Sequence, residues 1–307
     1  VSLSANFSPK ELEMNLLIID ALTHISTGPD DVIGWGPRFL AEDLLAQMDA
    51  PRRVLGQPRR IDKAVVFPAL GLTVPTSPLS FKDQHRYVLE SVDRYPDRLV
   101  GGVIVHARLW NDETARQLED MVRNHNFRMM YIHPSLHKYW LPIQTPSEGE
   151  GSRRLLYPLF EAARHLQIPI MIHTGEQPYA LPATADFVAG QFPDVNIIIA
   201  HLGTQGSVYT LEALLVAEQH PNVYLETSYS QCHMLIESVH TLGAERVIFG
   251  SDCPPLEPTQ QLMMVEESLA SEPPIGMSLP PAELYKILGG NLARLTGVAE
   301  SARLDAR

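Results

Sequence analysis

The sequence predicts a single (β/α)8 barrel, an α/β fold of the TIM type. Three observations lead there. Eight short apolar, β-branched runs recur down the 307 residues. Between them lie segments with apolar residues at i, i+3 and i+4, the alternation that covers a parallel sheet with helices. No GxGxxG follows the first run, which disfavours the doubly wound open sheet as the rival.

Taken in order, LLIIDAL (16–22) opens the barrel and runs on to His24. KAVVFPA (63–69), VGGVIVH (100–106) and RMMYIHP (128–134) supply strands two to four. PIMIHTG (169–175), NIIIAHLG (196–203), VYLETS (223–228) and VIFGSDCP (247–254) supply strands five to eight. FKDQHRYVLESVDRYP, NDETARQLEDMVRNH, SRRLLYPLFEAARHLQ and GSVYTLEALLVAEQHP carry the helical periodicity. Near the C-terminus, PPAELYKILGGNLARLTG reads as a helix pair with a Gly-Gly-Asn junction that closes the barrel. The expected limits are an N-terminal extension at 1–15, the barrel at 16–298 and a C-terminal tail at 299–307.

Composition narrows the function classes. Hydrophobic residues make up 45% of the chain, enough for one large core. The net charge is −12, from 24 basic and 36 acidic residues. Such a chain is poorly suited to nucleic acid or an anionic membrane, so an anionic substrate has to be met by local positive charge. Cys232 and Cys253 are the only cysteines, which implies no disulfide framework and fits a reducing cytoplasm. No apolar run approaches the roughly 20 residues that span a bilayer. The first residues lack the basic and apolar blocks of a signal peptide.

Several predicted strands end on a polar residue: His24, His106, His133, His173, His201, Thr227 and Asp252. In a barrel these C-terminal ends converge on one face, where active sites form. One such histidine alone would read as a hydrogen-bonded rim residue, but five with an aspartate point to a site. The loops at 28–39, 70–81 and 135–151 are long, rich in Pro and Gly, and carry Trp35 and Trp140. Loops of that kind wall or cover a small-molecule pocket.

At these positions the sequence resembles a known family. IIDALTH, VDRYPDRLVGGVIV, LYPLFEAARHLQIPIMIHTG, NIIIAHLG, VYLETS, VIFGSDCP and ILGGNLARLTG carry the likeness, over roughly 16 to 298. They resemble the amidohydrolase-2 branch of the amidohydrolase superfamily. That branch holds metal-dependent hydrolases and decarboxylases related to aminocarboxymuconate semialdehyde decarboxylase. The resemblance implies a metal held by a strand-one HxH pair, a strand-five histidine and a strand-eight aspartate. Here His24, His173 and Asp252 match, while the first member of the pair is Leu22, which supplies no ligand. His201 matches the histidine that polarises substrate or moves a proton.

Two histidines and a carboxylate suffice for zinc with an open position, and manganese or iron also suits mixed nitrogen and oxygen donors. His201 is the available fourth ligand. Because Leu22 removes one donor, metal-free catalysis and a non-catalytic barrel stay open beside a metal enzyme. The expected reaction is hydrolysis of a small ester, lactone or amide, with Asp252 taking the proton of a metal-activated water. A decarboxylase of an unsaturated or aromatic acid is the alternative. His106, Arg108 and His133 are the candidates for gripping a carboxylate, with Trp140 and Thr227 as further substrate contacts. Asp20 reads as a structural hydrogen-bond acceptor and Cys253 as a buried spacer. A homodimer is an expectation from the family alone.

Overall fold

The computed structural model describes residues 17–28, 38–74, 76–142, 149–204 and 206–298. The predicted terminal extension and tail, Trp35 and much of the loops around it and after Trp140 lie outside the described residues. Eight parallel strands follow one another in chain order: β1 (Ile19–Ile25), β2 (Lys63–Pro68), β3 (Leu99–Ile104), β4 (Phe127–Ile132), β5 (Ile170–Ile172), β6 (Ile197–Ile199), β7 (Val223–Glu226) and β8 (Val247–Ile248). Thr23 bridges to Cys253 in parallel sense. The Ala21 N–H donates to the Phe249 carbonyl at 3.0 Å and the Asp252 N–H to that of Leu22 at 2.9 Å. These bonds carry the end of β8 back onto β1, so the sheet closes into the expected barrel.

The last strands are shorter than their apolar runs. After β6 the chain leaves the sheet at once, with His201 at φ 63° and Leu202 at φ 49°; after β8, Asp252 stands at φ 57°. Left-handed backbone cannot continue a ladder, and it turns these polar side chains toward the barrel mouth. In β1 the pairing with β2 slips between Asp20 and Thr23. Ala21 and Leu22 accordingly both join the interior core with Phe67, Met129 and Tyr131, while Ile18 and Ile25 face the helices. A bulge of one residue is what lets adjacent residues share a face.

Helices α1 (Ala41–Met48), α2 (Phe81–Arg94), α3 (Asp112–Asn124), α4 (Gly149–Leu166), α5 (Ala185–Gln191), α6 (Ser207–Gln219), α7 (Cys232–Leu242) and α8 (Pro258–Ala270) surround the barrel. Asn111 caps α3 by accepting from the Glu113 and Thr114 N–H groups. A small hairpin, Arg52–Val54 with Gln57–Arg59, interrupts the segment before β2. Among the described residues no helix is long and apolar enough to cross a membrane.

The predicted C-terminal helix pair is instead one continuous run, Pro281–Tyr285 and Asn291–Thr296 joined by a π-helical turn at Lys286–Gly290. The Gly-Gly-Asn sequence has a packing reason. A Cβ on Gly289 would lie 2.1 Å from the Leu17 carbonyl oxygen, and Asn291 Nδ2 donates to the carbonyls of Ala244 and Val247. The run thereby fastens the entry of β1 to the entry of β8.

Candidate active site

The strand ends bring a dense polar cluster together. His24, at the end of β1, donates Nδ1–H to the Pro68 carbonyl at 2.9 Å and places Nε2 3.4 Å from Asp252 Oδ1. His173, beyond β5, has Nδ1 3.0 Å from the Tyr131 hydroxyl and 2.9 Å from His201 Nε2. Its Nε2 meets Glu176 Oε2 at 2.9 Å. His133, beyond β4, accepts the Leu136 N–H on Nδ1 and stacks on His173 with ring centroids 3.6 Å apart. His201 Nδ1 lies 2.7 Å from Ser228 Oγ, which in turn bonds to the Glu226 carboxyl at 2.8 Å.

Burial sets the charge of this cluster. It pushes His201 down to about 3 and His133 well below the ordinary histidine value, so both are neutral at pH 7. Burial also pushes the Glu226 carboxyl up to about 8 and that of Asp20 up to about 7, against the hydrogen bonds that favour their ionised forms. The Tyr229 hydroxyl rises to about 12, from burial and from the nearby Asp252 carboxylate. Glu176, half-exposed, moves the other way because His173 hydrogen-bonds to it.

A cavity of about 710 Å³ opens onto these groups, lined by Leu70, Tyr131, His133, Ser135, Leu136, His173, Gly175, Glu176, His201, Thr204, Gly206, Tyr209, Tyr229 and Asp252. Of the predicted site residues, His133, His173, His201 and Asp252 face it. His24 lies beneath, against Asp252. His106 is stacked on His137, 4.2 Å between centroids, and accepts the Arg108 N–H, away from the cavity wall. Arg108 donates from Nη2 to the Lys138 carbonyl. Trp140 is 48% exposed and packs on Tyr179. Thr227 is fully buried, its hydroxyl receiving the Gly250 N–H. The structure therefore sets His106, Arg108, Trp140 and Thr227 outside the described cavity lining.

Glu176, Ser228, Tyr209 and Tyr229 were not read from the sequence. Glu176 follows His173 by three residues, and that HTGE spacing was the available signal. Asp20 accepts from the Leu22 and Ser251 N–H groups and from the Ser251 hydroxyl, a structural role. Burial raises the Cys253 thiol far above its usual value, which leaves it without nucleophilic character.

The donor set suits a divalent ion. The Pro68 carbonyl fixes the His24 tautomer and leaves the Nε2 lone pair facing Asp252, the way a ligating histidine is oriented. Among the described residues, the group whose donor atoms all lie within 4.8 Å of one another is His133, His173 and Glu176. His173 is common to this group and to the set implied by the resemblance. The rings of His133 and His173 stack with their planes 15° apart, while His24 Nε2 and Asp252 Oδ1 lie 3.4 Å from each other.

No curated protein matches the chain. Solved structures share its fold. A 5-carboxyvanillate decarboxylase from Novosphingobium aromaticivorans, complexed with manganese and a nitrobenzoic acid, is 14% identical over 93% of this chain and 97% of that one, with TM-score 0.64. A dihydroxybenzoic acid decarboxylase from Polaromonas, with manganese and 2-nitroresorcinol, is 16% identical over 92% and 97%, with TM-score 0.62. A Pseudomonas putida protein provisionally named a 2-pyrone-4,6-dicarboxylic acid hydrolase is 16% identical over 92% and 98%, with TM-score 0.62. At such identities the likeness is one of fold. The model of the amidohydrolase-2 family, described as amidohydrolase, matches residues 19–298. With that match running from β1 to the closing helix, the chain belongs to this family of enzymes.

Proposed function

We propose that the protein is a metal-dependent decarboxylase of a small aromatic or unsaturated acid. The observation that carries this reading is the make-up of the cavity wall. Leu70, Leu136, Tyr131, Tyr209 and Tyr229 offer flat apolar surface, and among the described lining residues there is no Lys or Arg. The histidines facing it are held neutral or already paired, and Glu176 and Asp252 are acidic. A planar acid with one carboxylate fits such a wall, with its charge met by a bound cation. The double carboxylate of a pyrone dicarboxylic acid fits poorly. The decarboxylases among the structural neighbours add weight to this choice over the hydrolysis expected from the sequence.

His24, His173 and Asp252 are the residues proposed to hold the ion. When bound, it supplies the positive charge that holds a carboxylate or phenolate oxygen and draws electron density from the ring. Zinc suits these donors, and manganese, present in two of the neighbours, suits them as well. Asp252 is the group proposed to pass a proton to the ring carbon that bears the carboxylate. The carbon–carbon bond then breaks, its electron pair returns to the ring, and carbon dioxide leaves. Asp252 regains its proton from water. Tyr131 and Tyr229 line the cavity beside His201 and Asp252, and the neutral His201 holds a hydrogen bond without adding charge.

The test is incubation of the purified, metal-analysed chain with a panel of hydroxybenzoic acids and lactones. Release of carbon dioxide with the ring intact, lost in Asp252→Asn, is the expected result. A ring-opened product that keeps every carbon would return the hydrolytic reading. The pyrone hydrolase name among the neighbours is what keeps lactones in the panel.

A further inference from the structure

The cavity wall changes character with depth. Its floor is made by Tyr131, His133, His201 and Asp252, all of them buried. Above it, a partly exposed lining runs along the ends of three consecutive strands: Ser135 and Leu136 beyond β4, Gly175 beyond β5, and Thr204, Gly206 and Tyr209 beyond β6. Four of these six residues are small, and Leu136 and Tyr209 are the large apolar surfaces among them. Leu70, also in the lining, follows β2, and β2 and β6 face each other across a closed barrel of eight strands. The cavity therefore spans the mouth from one side to the other.

Two glycines keep this upper wall open. Gly175 stands at φ 110°, and a Cβ on it would lie 1.7 Å from Thr204 Oγ1, so only glycine fits beside this threonine. Gly206, at φ −113°, has ordinary backbone, and a Cβ there would meet only the Tyr209 ring, 3.5 Å from Cδ2. With no side chain at 206, that edge of the ring stays uncovered. Gln177 Nε2 donates to the Tyr209 hydroxyl at 2.7 Å and holds the ring at the rim. The space exceeds what one ring needs. A hydroxybenzoic acid takes up roughly 170 Å³ at the packing density of a protein interior, about a quarter of the 710 Å³ cavity. Pockets of about 300–1,000 Å³ enclose drug-sized molecules. A single ring on the floor leaves the rest of the space, with the apolar faces of Leu136 and Tyr209, to water.

We propose that the acid taken by this site carries a second ring, or an apolar group of similar size, which lies against Leu136 and Tyr209 while the carboxyl-bearing ring lies on the floor beside Asp252. The inference rests on the decarboxylase reading for the placing of the carboxylate. Gly206 and Tyr209 then select for bulk, and the floor selects for the acid. Burying the second ring takes apolar area out of water and raises affinity without a further charge. That suits a lining with no Lys or Arg among its described residues.

The test reads binding apart from turnover. Full-length protein loaded with manganese is titrated by calorimetry with salicylic acid and with its 4-phenyl and 5-phenyl derivatives, which share one head group. Released carbon dioxide is followed separately. The better phenyl derivative should bind at least about tenfold more tightly than salicylic acid. Gly206→Leu sets a side chain on the Tyr209 ring and should bring the two acids to near parity, with the salicylic acid Kd moved by less than about twofold. Equal or weaker binding of both phenyl derivatives, or an advantage that survives in Gly206→Leu, overturns the proposal. Should Gly206→Leu not fold, Tyr209→Ala decides: loss of the advantage is expected, and its survival overturns the proposal. A phenyl advantage without carbon dioxide from any acid supports the proposal and counts against the decarboxylase reading alone. Carbon dioxide from salicylic acid with no phenyl advantage overturns the proposal alone. Failure of all three acids to bind overturns both.

Discussion

Replacing Asp20 with Asn should flatten the pH dependence of folding stability. Asp20 is fully buried, and its carboxyl is pushed from 3.8 up to about 7, chiefly by burial. In the unfolded chain the group loses its proton near 3.8; in the folded protein it keeps it to about 7. Across that window the folded state binds more protons, so the stability present below pH 3.8 is lost as pH rises through 7. A rise of about three pH units corresponds to roughly 4 kcal/mol. Asn keeps Oδ1 for the Leu22 and Ser251 N–H groups, and its amide can donate to the Ser251 hydroxyl, which rotates. Urea unfolding of both proteins from pH 4 to pH 8 reads the effect. The variant should match the wild type near pH 4 and gain on it steadily, by up to a few kcal/mol, at pH 8. Glu226 titrates with the same sign but is common to both proteins, so the difference curve isolates Asp20. Parallel curves would refute a protonated buried carboxyl at this position.

The ion-binding assignment separates two variants: His24→Ala should lose bound metal by mass spectrometry, whereas His133→Ala should keep it. The opposite ranking would assign the ion to His133, His173 and Glu176. Leu22→His adds a nitrogen to a set lacking one and should tighten zinc binding about tenfold or more in a chelator competition, near 1.4 kcal/mol. It should also cost about 1.5–3 kcal/mol of stability, because Leu22 is fully buried in the barrel interior. Gly289→Ala should destabilise by about 1–3 kcal/mol in the same urea assay, since backbone at Leu17 cannot give way as a side chain could.

The barrel was legible in the sequence because its signals are local. Each strand announces itself by an apolar run buried on both faces, and each helix by its period, so order and closure follow from spacing alone. The convergence of His133, His173, His201 and Asp252 was legible for the same reason: a strand end has one place to go in a closed barrel. Other features depend on contacts between residues far apart in the chain. That Thr227 spends its hydroxyl on Gly250, and that Ser228 rather than Thr227 reaches His201, depends on how β7 meets β6 and β8. The slip in β1 that buries Ala21 and Leu22 together is a matter of register against β2. The unbroken C-terminal run reflects how closely Gly289 approaches Leu17, more than 250 residues away in the sequence. Apolar pattern is a property of each segment and can be read from the segment. Partner choice, register and the proton on a buried carboxyl are properties of a neighbourhood, and only the folded chain assembles it.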